Sequence, residues 1–262
     1  MDIGTAKPTL QMRRAVPHHL LDVADPRTVF TLAEYQALAT AAIASIHARG
    51  RLPLVVGGTG LYIRAVVDGL RLPRVRPDWE FRRTAEGADR RDPGVLYARL
   101  RERDPETAAR IHPRNVRRII RALEVIERTG RPLSVQRAAQ TPPWEVTRIG
   151  LRMPRPLLWQ RIAARVEEQL TGGLVDEVRR LLADGVPPEA PAMQGLGYKE
   201  IVPYLQDRAT LEDATTHLIR NTRRYARRQE IWFRRDDRIR WIDVGHAGAE
   251  MVAMTLRAML TL

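Results

Sequence analysis

The apolar positions in the first quarter of the chain change period twice. Leu32, Tyr35, Leu38, Ala39, Ala42, Ile43 and Ile46 recur at the spacing of one helical face. Thr31 and Glu34 have the spacing of a capping box, in which each side chain satisfies an amide left without a partner in the first turn. Gly50 supplies a stop. Leu52 to Val56 is apolar throughout, which predicts a strand buried on both faces of a parallel sheet. Gly57-Gly58-Thr59-Gly60 interrupts that run, and Leu61 to Val67 returns to a helical pattern. Helix, buried strand, glycine loop and helix together follow α/β grammar.

Strand patterns then disappear. From about Pro77 to Pro143 the chain alternates charged helical segments with Asp92-Pro93, Asp104-Pro105, His112-Pro113 and Gly130-Arg131-Pro132, which predicts a helical insert. Val146 to Leu151 predicts a strand. Leu157 to Leu170 and Leu174 to Leu182 predict two amphipathic helices split by Gly172-Gly173. Thr210 and Asp213 open a long helix to about Phe233, with Leu211, Ala214, Leu218, Tyr225 and Trp232 on its apolar face and Tyr225 and Trp232 expected in the core. Ile239 to Val244 predicts a last short strand, and a helical tail follows Gly245.

Composition narrows the function. The chain has 262 residues and no cysteine, so disulfides and cysteine-based zinc sites are excluded. No run approaches the length of a membrane helix and no apolar leader precedes residue 14; a cytoplasmic protein without membrane association is expected. Net charge is +13, almost all of it arginine, since lysine occurs only at positions 7 and 199. Such a balance suits a polyanionic partner, although arginine-rich coding alone also raises it. Clustering separates the two readings.

The densest cluster is Arg220, Arg223, Arg224, Arg227, Arg228, Arg234, Arg235, Arg238 and Arg240, with Tyr225, Trp232 and Phe233 interleaved. Arginine for phosphates and flat rings for unstacked bases is the composition of an RNA-contacting surface. Arg117, Arg121 and Arg128 line one face of a second segment whose other face is Val116, Ile119, Ile120, Leu123 and Ile126. That pattern serves equally as a phosphate grip or as a solvated face balanced by Glu124 and Glu127. The loop at 57–60 suits an anion at a helix N-terminus or a plain tight turn. It is not the Gly-x-x-x-x-Gly-Lys-Ser/Thr phosphate loop, because the two lysines precede Pro8 and Glu200. His18 and His19 are adjacent and make a poor chelating pair, so no protein-held metal is expected.

An ordered set of strings carries a more specific signal: MDIGTAKP, PHHLLDVADP, RGRLPLVVGGTGLY, DPETAARIHP, RRIIRALEV with TGRPLS, LLWQRIAARV, GLVDEVRRL, PAMQGLGYKE and TRRYARRQEIWFRR, spread over about residues 1 to 243. In this order they resemble the tRNA dimethylallyltransferases, also called tRNA isopentenyltransferases. The resemblance implies transfer of a dimethylallyl group from dimethylallyl diphosphate to N6 of the adenine just 3′ of the anticodon, with Mg²⁺ assisting the diphosphate and the adenine extruded into a channel. Its partners would be the tRNA anticodon stem-loop and dimethylallyl diphosphate, and the protein would act as a monomer.

The implied fold is α/β: a P-loop-kinase-like parallel-sheet core at residues 1–76 and 146–262, with a helical insert at 77–145 that contacts tRNA. Carried over position by position, Gly57, Gly58, Thr59 and Gly60 match the channel loop, and Thr59 and Arg82 match tRNA contacts beside it. Arg117, Arg118, Ile119, Ile120 and Arg121 match a tRNA-contacting segment, as do Gln194, Gly195, Leu196, Gly197, Tyr198 and Lys199. Arg227, Arg228, Gln229, Trp232 and Arg234 match a third, which Arg223 extends. His18 and Arg165 match substrate-handling positions and are the catalytic candidates. In the family a phosphate loop and a general-base aspartate precede the string MDIGTAKP. This chain starts at that Met, so a core truncated at its amino terminus is expected, through a start placed at an internal Met or through a true truncation; the resemblance implies the transferase, inactive if the truncation is real, with a catalytically dead RNA-binding remnant as the alternative. The insert also reads HPRNVRRIIR where the family has Asn-Asp-Pro-Gln before the arginine.

Overall fold

The structure, a computed structural model, describes residues 1–136, 142–245 and 249–260. The chain divides into two compact units, one of residues 1–30, 57–60 and 145–262, the other of residues 31–56 and 61–144.

In the first unit, helices α9 (Arg155–Thr171), α10 (Leu174–Ala183), α11 (Tyr198–Leu205) and α12 (Leu211–Phe233) surround a core of Val166, Leu174, Val178, Met193, Tyr198, Ile201 and Leu218. Each such side chain contributes roughly 1.5–3 kcal/mol by leaving water. The Gly172-Gly173 pair separates α9 from α10 as its sequence predicts, because Gly173 takes φ +94°, a backbone that a side chain disfavours. Strands β1 (Arg148–Arg152) and β2 (Ile239–Asp243) pair in parallel, with Gly150 opposite Trp241. A Cβ at Gly150 would lie 2.7 Å from the Trp241 ring, so only glycine lets the indole cover the strand.

The amino-terminal segment is tied to this unit through one buried carboxylate. Glu177 accepts from the amides of Asp2, Ile3 and Gly4, the last at 3.1 Å, and from the Tyr198 hydroxyl at 2.9 Å. Three successive amides turned to one point form an anion-binding nest, here filled by the protein itself. Gln169 donates to the carbonyls of Ile3 and Gly4 at 3.1 and 3.2 Å. Gly4 is required, since a Cβ there would sit 2.5 Å from the Tyr198 ring. Lys7 then bridges Asp2 and Asp22.

The second unit is helical: α2 (Leu32–Ala48), α3 (Gly60–Val67, shared at its first residue), α4 (Trp79–Arg91), α5 (Val95–Arg103), α6 (Pro105–Ala109), α7 (Val116–Thr129) and α8 (Leu133–Gln136). The capping box of Thr31 and Glu34 forms as read, with amide bonds of 2.7 and 3.2 Å. Leu96, Leu100, Ile119, Leu123, Val125 and Ile126 make the core. Asp104 is buried yet satisfied, accepting from the amides of Thr107 and Ser134 at 3.0 Å each. It thereby ties α6 and α8 together.

Two expectations change. Residues 52–56 do not form a strand; Leu54 is 70% and Val56 92% exposed. An apolar run becomes a buried strand only beside a strand that accepts its amides, and β1 and β2 pair with each other. The other difference concerns residues 31–56 and 61–76, which fall with the helical segment rather than with the α/β part. Gln36 holds them there by donating to the carbonyls of Ala65 and Leu70 at 2.5 and 2.8 Å, and Tyr35 packs at a tilt against Tyr62, with ring centroids 4.6 Å apart. The mixed α/β class stands, with a sheet of two parallel strands among the described residues.

Candidate nucleic-acid interface

Helix α12 carries the arginine row, and its length follows from its ends. Thr210 and Asp213 cap its first turn reciprocally, with amide bonds of 3.1 and 3.2 Å. Ala214 and Leu218 pack its first half into the core. The second half is different. Tyr225 is half-buried and Trp232 is 37% exposed, so the expected core positions of these two rings are corrected. The reason is a polar, glycine-rich neighbour in place of an apolar one.

That neighbour is the loop Gly57-Gly58-Thr59-Gly60. Gln229 donates its side-chain amide to the Gly58 carbonyl at 2.9 Å. Thr59 Oγ1 lies 3.3 Å from the Tyr225 hydroxyl. A Cβ at Gly58 would overlap the Gln229 amide, and one at Gly60 would overlap the Trp232 indole. The glycines are therefore explained by close approach of the loop to α12, and Thr59 is left exposed.

Around this seam the charge is mostly unneutralised. Glu230 holds Arg234 and, at 3.3 Å, Arg155; Asp236 holds Arg148 at 3.1 Å and Arg238 at 2.7 Å. Arg220, Arg223, Arg224, Arg227, Arg228 and Arg235 have no ion pair among the described residues. Arg228 lies over the Tyr225 ring at 5.7 Å, and Arg223 over Trp159 at 5.7 Å. The result is an exposed strip of guanidinium groups and aromatic rings beside a glycine loop, which can bind phosphates and stack bases.

The loop before α11 behaves otherwise. Gln194 and Lys199 are exposed, and Gly195 and Leu196 are half-buried. Gly197, at φ +93°, is buried with Tyr198, which is 1% exposed. Burial raises the Tyr198 hydroxyl pKa, and the hydrogen bond to Glu177 raises it further. Tyr198 is thus a core residue, and direct contact of its side chain with RNA is corrected. Glu200 explains the turn, accepting from the Gly197 amide and from Asn221, both at 2.9 Å.

In the helical unit, Ile119 and Ile120 are 1% and 2% exposed, which corrects them likewise to core positions. Arg82 and Arg121 are held by Glu124, itself 1% exposed. Arg82 grips both carboxylate oxygens at 2.8 Å, Arg121 donates at 2.6 Å and the Asp78 amide at 2.7 Å. Burial pushes the Glu124 carboxyl up, and these donors more than reverse it, leaving it below its ordinary value. Arg117 and Arg118 are exposed and without an ion pair among the described residues.

The catalytic candidates are not brought into a common cluster by any bond. His18 is exposed, its Nδ1 donating to the Val16 carbonyl at 2.7 Å, and Arg165 is exposed on α9. Sequence reasoning missed Glu177 and Trp159 and placed the buried Glu124 on a solvated face. Glu124 and Glu177 carried a signal: each is an acid three or four residues from an apolar position on its own helical face, Ile120 for one and Leu174 for the other. Trp159 carried none.

Residues 1–236 match the family model described as IPP transferase. The chain is 57% identical over 236 residues to a tRNA dimethylallyltransferase of Roseiflexus castenholzii, covering 90% of this chain and 77% of that one. Its fold is similar to the full-length tRNA isopentenylpyrophosphate transferase of Bacillus halodurans, at TM-score 0.71 and 41% identity, covering 100% and 82% of the two chains. It is also similar to a eukaryotic dimethylallyltransferase whose crystal structures show it acting on tRNA, at TM-score 0.79 and 26% identity, covering 99% and 69%.

Proposed function

Since the chain belongs to the IPP transferase family, we propose that it works in tRNA modification, in the transfer of a dimethylallyl group from dimethylallyl diphosphate to N6 of the adenine next to the anticodon. The observation that carries the reading is the seam between the glycine loop and α12, where Gln229 and Tyr225 fix Gly58 and Thr59 beside the unneutralised arginines. A sequence relative is named tRNA dimethylallyltransferase and a solved structure of similar fold is named tRNA isopentenylpyrophosphate transferase, which supports the reading.

In this reading the arginines of α12 neutralise the stem-loop backbone, while Trp232 and Tyr225 offer faces on which an unstacked base can rest. Thr59 presents a hydroxyl at the edge of the loop. The reaction forms a bond between adenine N6 and the allylic C1, breaks the C1–O bond and releases diphosphate; the proton lost from N6 needs an acceptor, which of the two candidates only the His18 imidazole can be, while the always-charged Arg165 guanidinium suits the leaving diphosphate. Among the described residues no three His, Asp or Glu side chains converge to hold a cation. Mg²⁺ belongs in the reading as an ion carried by the diphosphate oxygens, which need few protein ligands. One copy of the chain carries both loop and arginine row, so the reading needs no second subunit. No helix among the described residues is long and apolar enough to cross a membrane.

The test is the protein incubated with Mg²⁺, labelled dimethylallyl diphosphate and an anticodon stem-loop. Label entering a stem-loop with adenine at the position 3′ of the anticodon, and not one with guanine there, is the expected result. Binding of both stem-loops without label would leave RNA binding alone.

A further inference from the structure

Among the described residues, Arg223 and Arg148 each bury an Nε without a hydrogen-bond partner, but Arg148 has Asp236 as its counter-ion. Arg223 is half-buried, its Nε is closed off from solvent, and that Nε meets no hydrogen-bond partner. No carboxylate neutralises it among the described residues, whereas the half-buried Arg82 and Arg121 share Glu124. Its neighbours on the same helix, Arg220, Arg224 and Arg227, add to the positive potential. What it does touch is the indole of Trp159 on α9, with the guanidinium carbon 5.7 Å from the ring centroid. A guanidinium N–H closed off from water without an acceptor is costly, and a ring face returns only part of that cost. Such a group is poised for an anion supplied from outside.

We propose that Trp159 is a positioning residue that holds Arg223 ready for a phosphate group, which the chemistry allows to be an RNA backbone phosphate or the diphosphate of the allylic substrate. The ring limits the side chain's rotamers, so less freedom is lost when the phosphate binds. A planar guanidinium against an indole also fixes the plane of its donor fork, which a lysine could not offer. The inference rests on the reading of α12 as the RNA-facing helix.

The experiment measures stem-loop binding across a salt series, and inhibition by inorganic diphosphate in the transfer assay, for the wild type, Arg223→Met, Trp159→Leu and Trp159→Phe. If the ligand is RNA phosphate, Arg223→Met lowers the slope of log affinity against log salt by about 0.7 to 0.9. Trp159→Leu does the same in part, and Trp159→Phe restores it. If the ligand is diphosphate, the RNA slope stays as in the wild type, and the two loss variants instead raise the KM for the allylic substrate and weaken inhibition. Unaltered slope and unaltered inhibition in Arg223→Met would overturn the proposal. A loss in Arg223→Met that Trp159→Leu does not share would overturn the role of Trp159. A wild type that binds no stem-loop would instead refute the RNA reading, with direct binding of inorganic diphosphate then deciding whether Arg223 meets a phosphate at all. A change in slope is not expected of a merely structural tryptophan, and circular dichroism of each variant confirms that it is folded.

Discussion

Gln229 donates its side-chain amide to the carbonyl of Gly58 at 2.9 Å, and through this bond the glycine loop is seated on α12. The bond explains why position 58 is glycine. A methyl group there would occupy the space of the Gln229 amide, and at position 60 that of the Trp232 ring. Gly58→Ala is expected to break one hydrogen bond at a cost of about 1 kcal/mol, because the end of Gln229 is flexible and can move away. Gly60→Ala meets a rigid ring and is expected to cost about 1–3 kcal/mol. Both should weaken stem-loop binding. A double-mutant cycle of Gly58→Ala with Gln229→Ala should be non-additive, since each change removes the same bond. Denaturant unfolding with a binding titration checks both points.

The nest around Glu177 yields a prediction with a sign in pH. Burial raises the Glu177 carboxyl, and the amides of Asp2, Gly4 and Ile3 with the Tyr198 hydroxyl bring it below its ordinary value. A carboxyl whose folded pKa is depressed contributes its stability above the unfolded value, near 4.3, and loses it as pH falls through the folded one. Glu177→Gln should therefore be less stable than the wild type at pH 7, by roughly 1.5–3 kcal/mol for hydrogen bonds to a charged group. The difference should shrink as pH is lowered toward 3. Urea midpoints of the two proteins measured from pH 7 to pH 3 give the comparison; a gap that widens on acidification would contradict the assignment.

Glu124 predicts how arginine changes divide in the helical unit. Glu124→Ala leaves Arg82 and Arg121 without their shared partner and is expected to cost about 3–5 kcal/mol. Arg82→Ala and Arg121→Ala should lower stability along with any effect on RNA. Arg117→Ala and Arg118→Ala, exposed and without an ion pair among the described residues, should lower RNA affinity and leave the unfolding midpoint within about 0.5 kcal/mol of the wild type. Parallel unfolding and gel-shift series would separate the two pairs.

Much of the helical architecture was legible because helices announce themselves locally. The capping pairs Thr31 with Glu34 and Thr210 with Asp213, the split at Gly172-Gly173 and the strands near 148 and 239 all form as the pattern predicts. Residues 52–56 were not legible, since a strand depends on a neighbour that the run itself does not specify. Trp232 was misplaced for a related reason: helical spacing shows which side chains share a face, but not whether that face meets apolar packing or a glycine loop. Ile119, Ile120 and Tyr198 entered the site through strings shared with a family, and such strings record core packing as readily as contact with a ligand.

If the loop at 57–60 and the second half of α12 form one RNA-binding surface, RNA protects both together. Hydrogen–deuterium exchange of the protein with and without an anticodon stem-loop tests it most directly. Slower exchange is expected at Gly57 to Gly60 and through the segment Arg223 to Arg235 when RNA is bound, with the Glu177 nest unchanged. Stem-loop binding that leaves both segments unprotected, with protection appearing elsewhere, would contradict it.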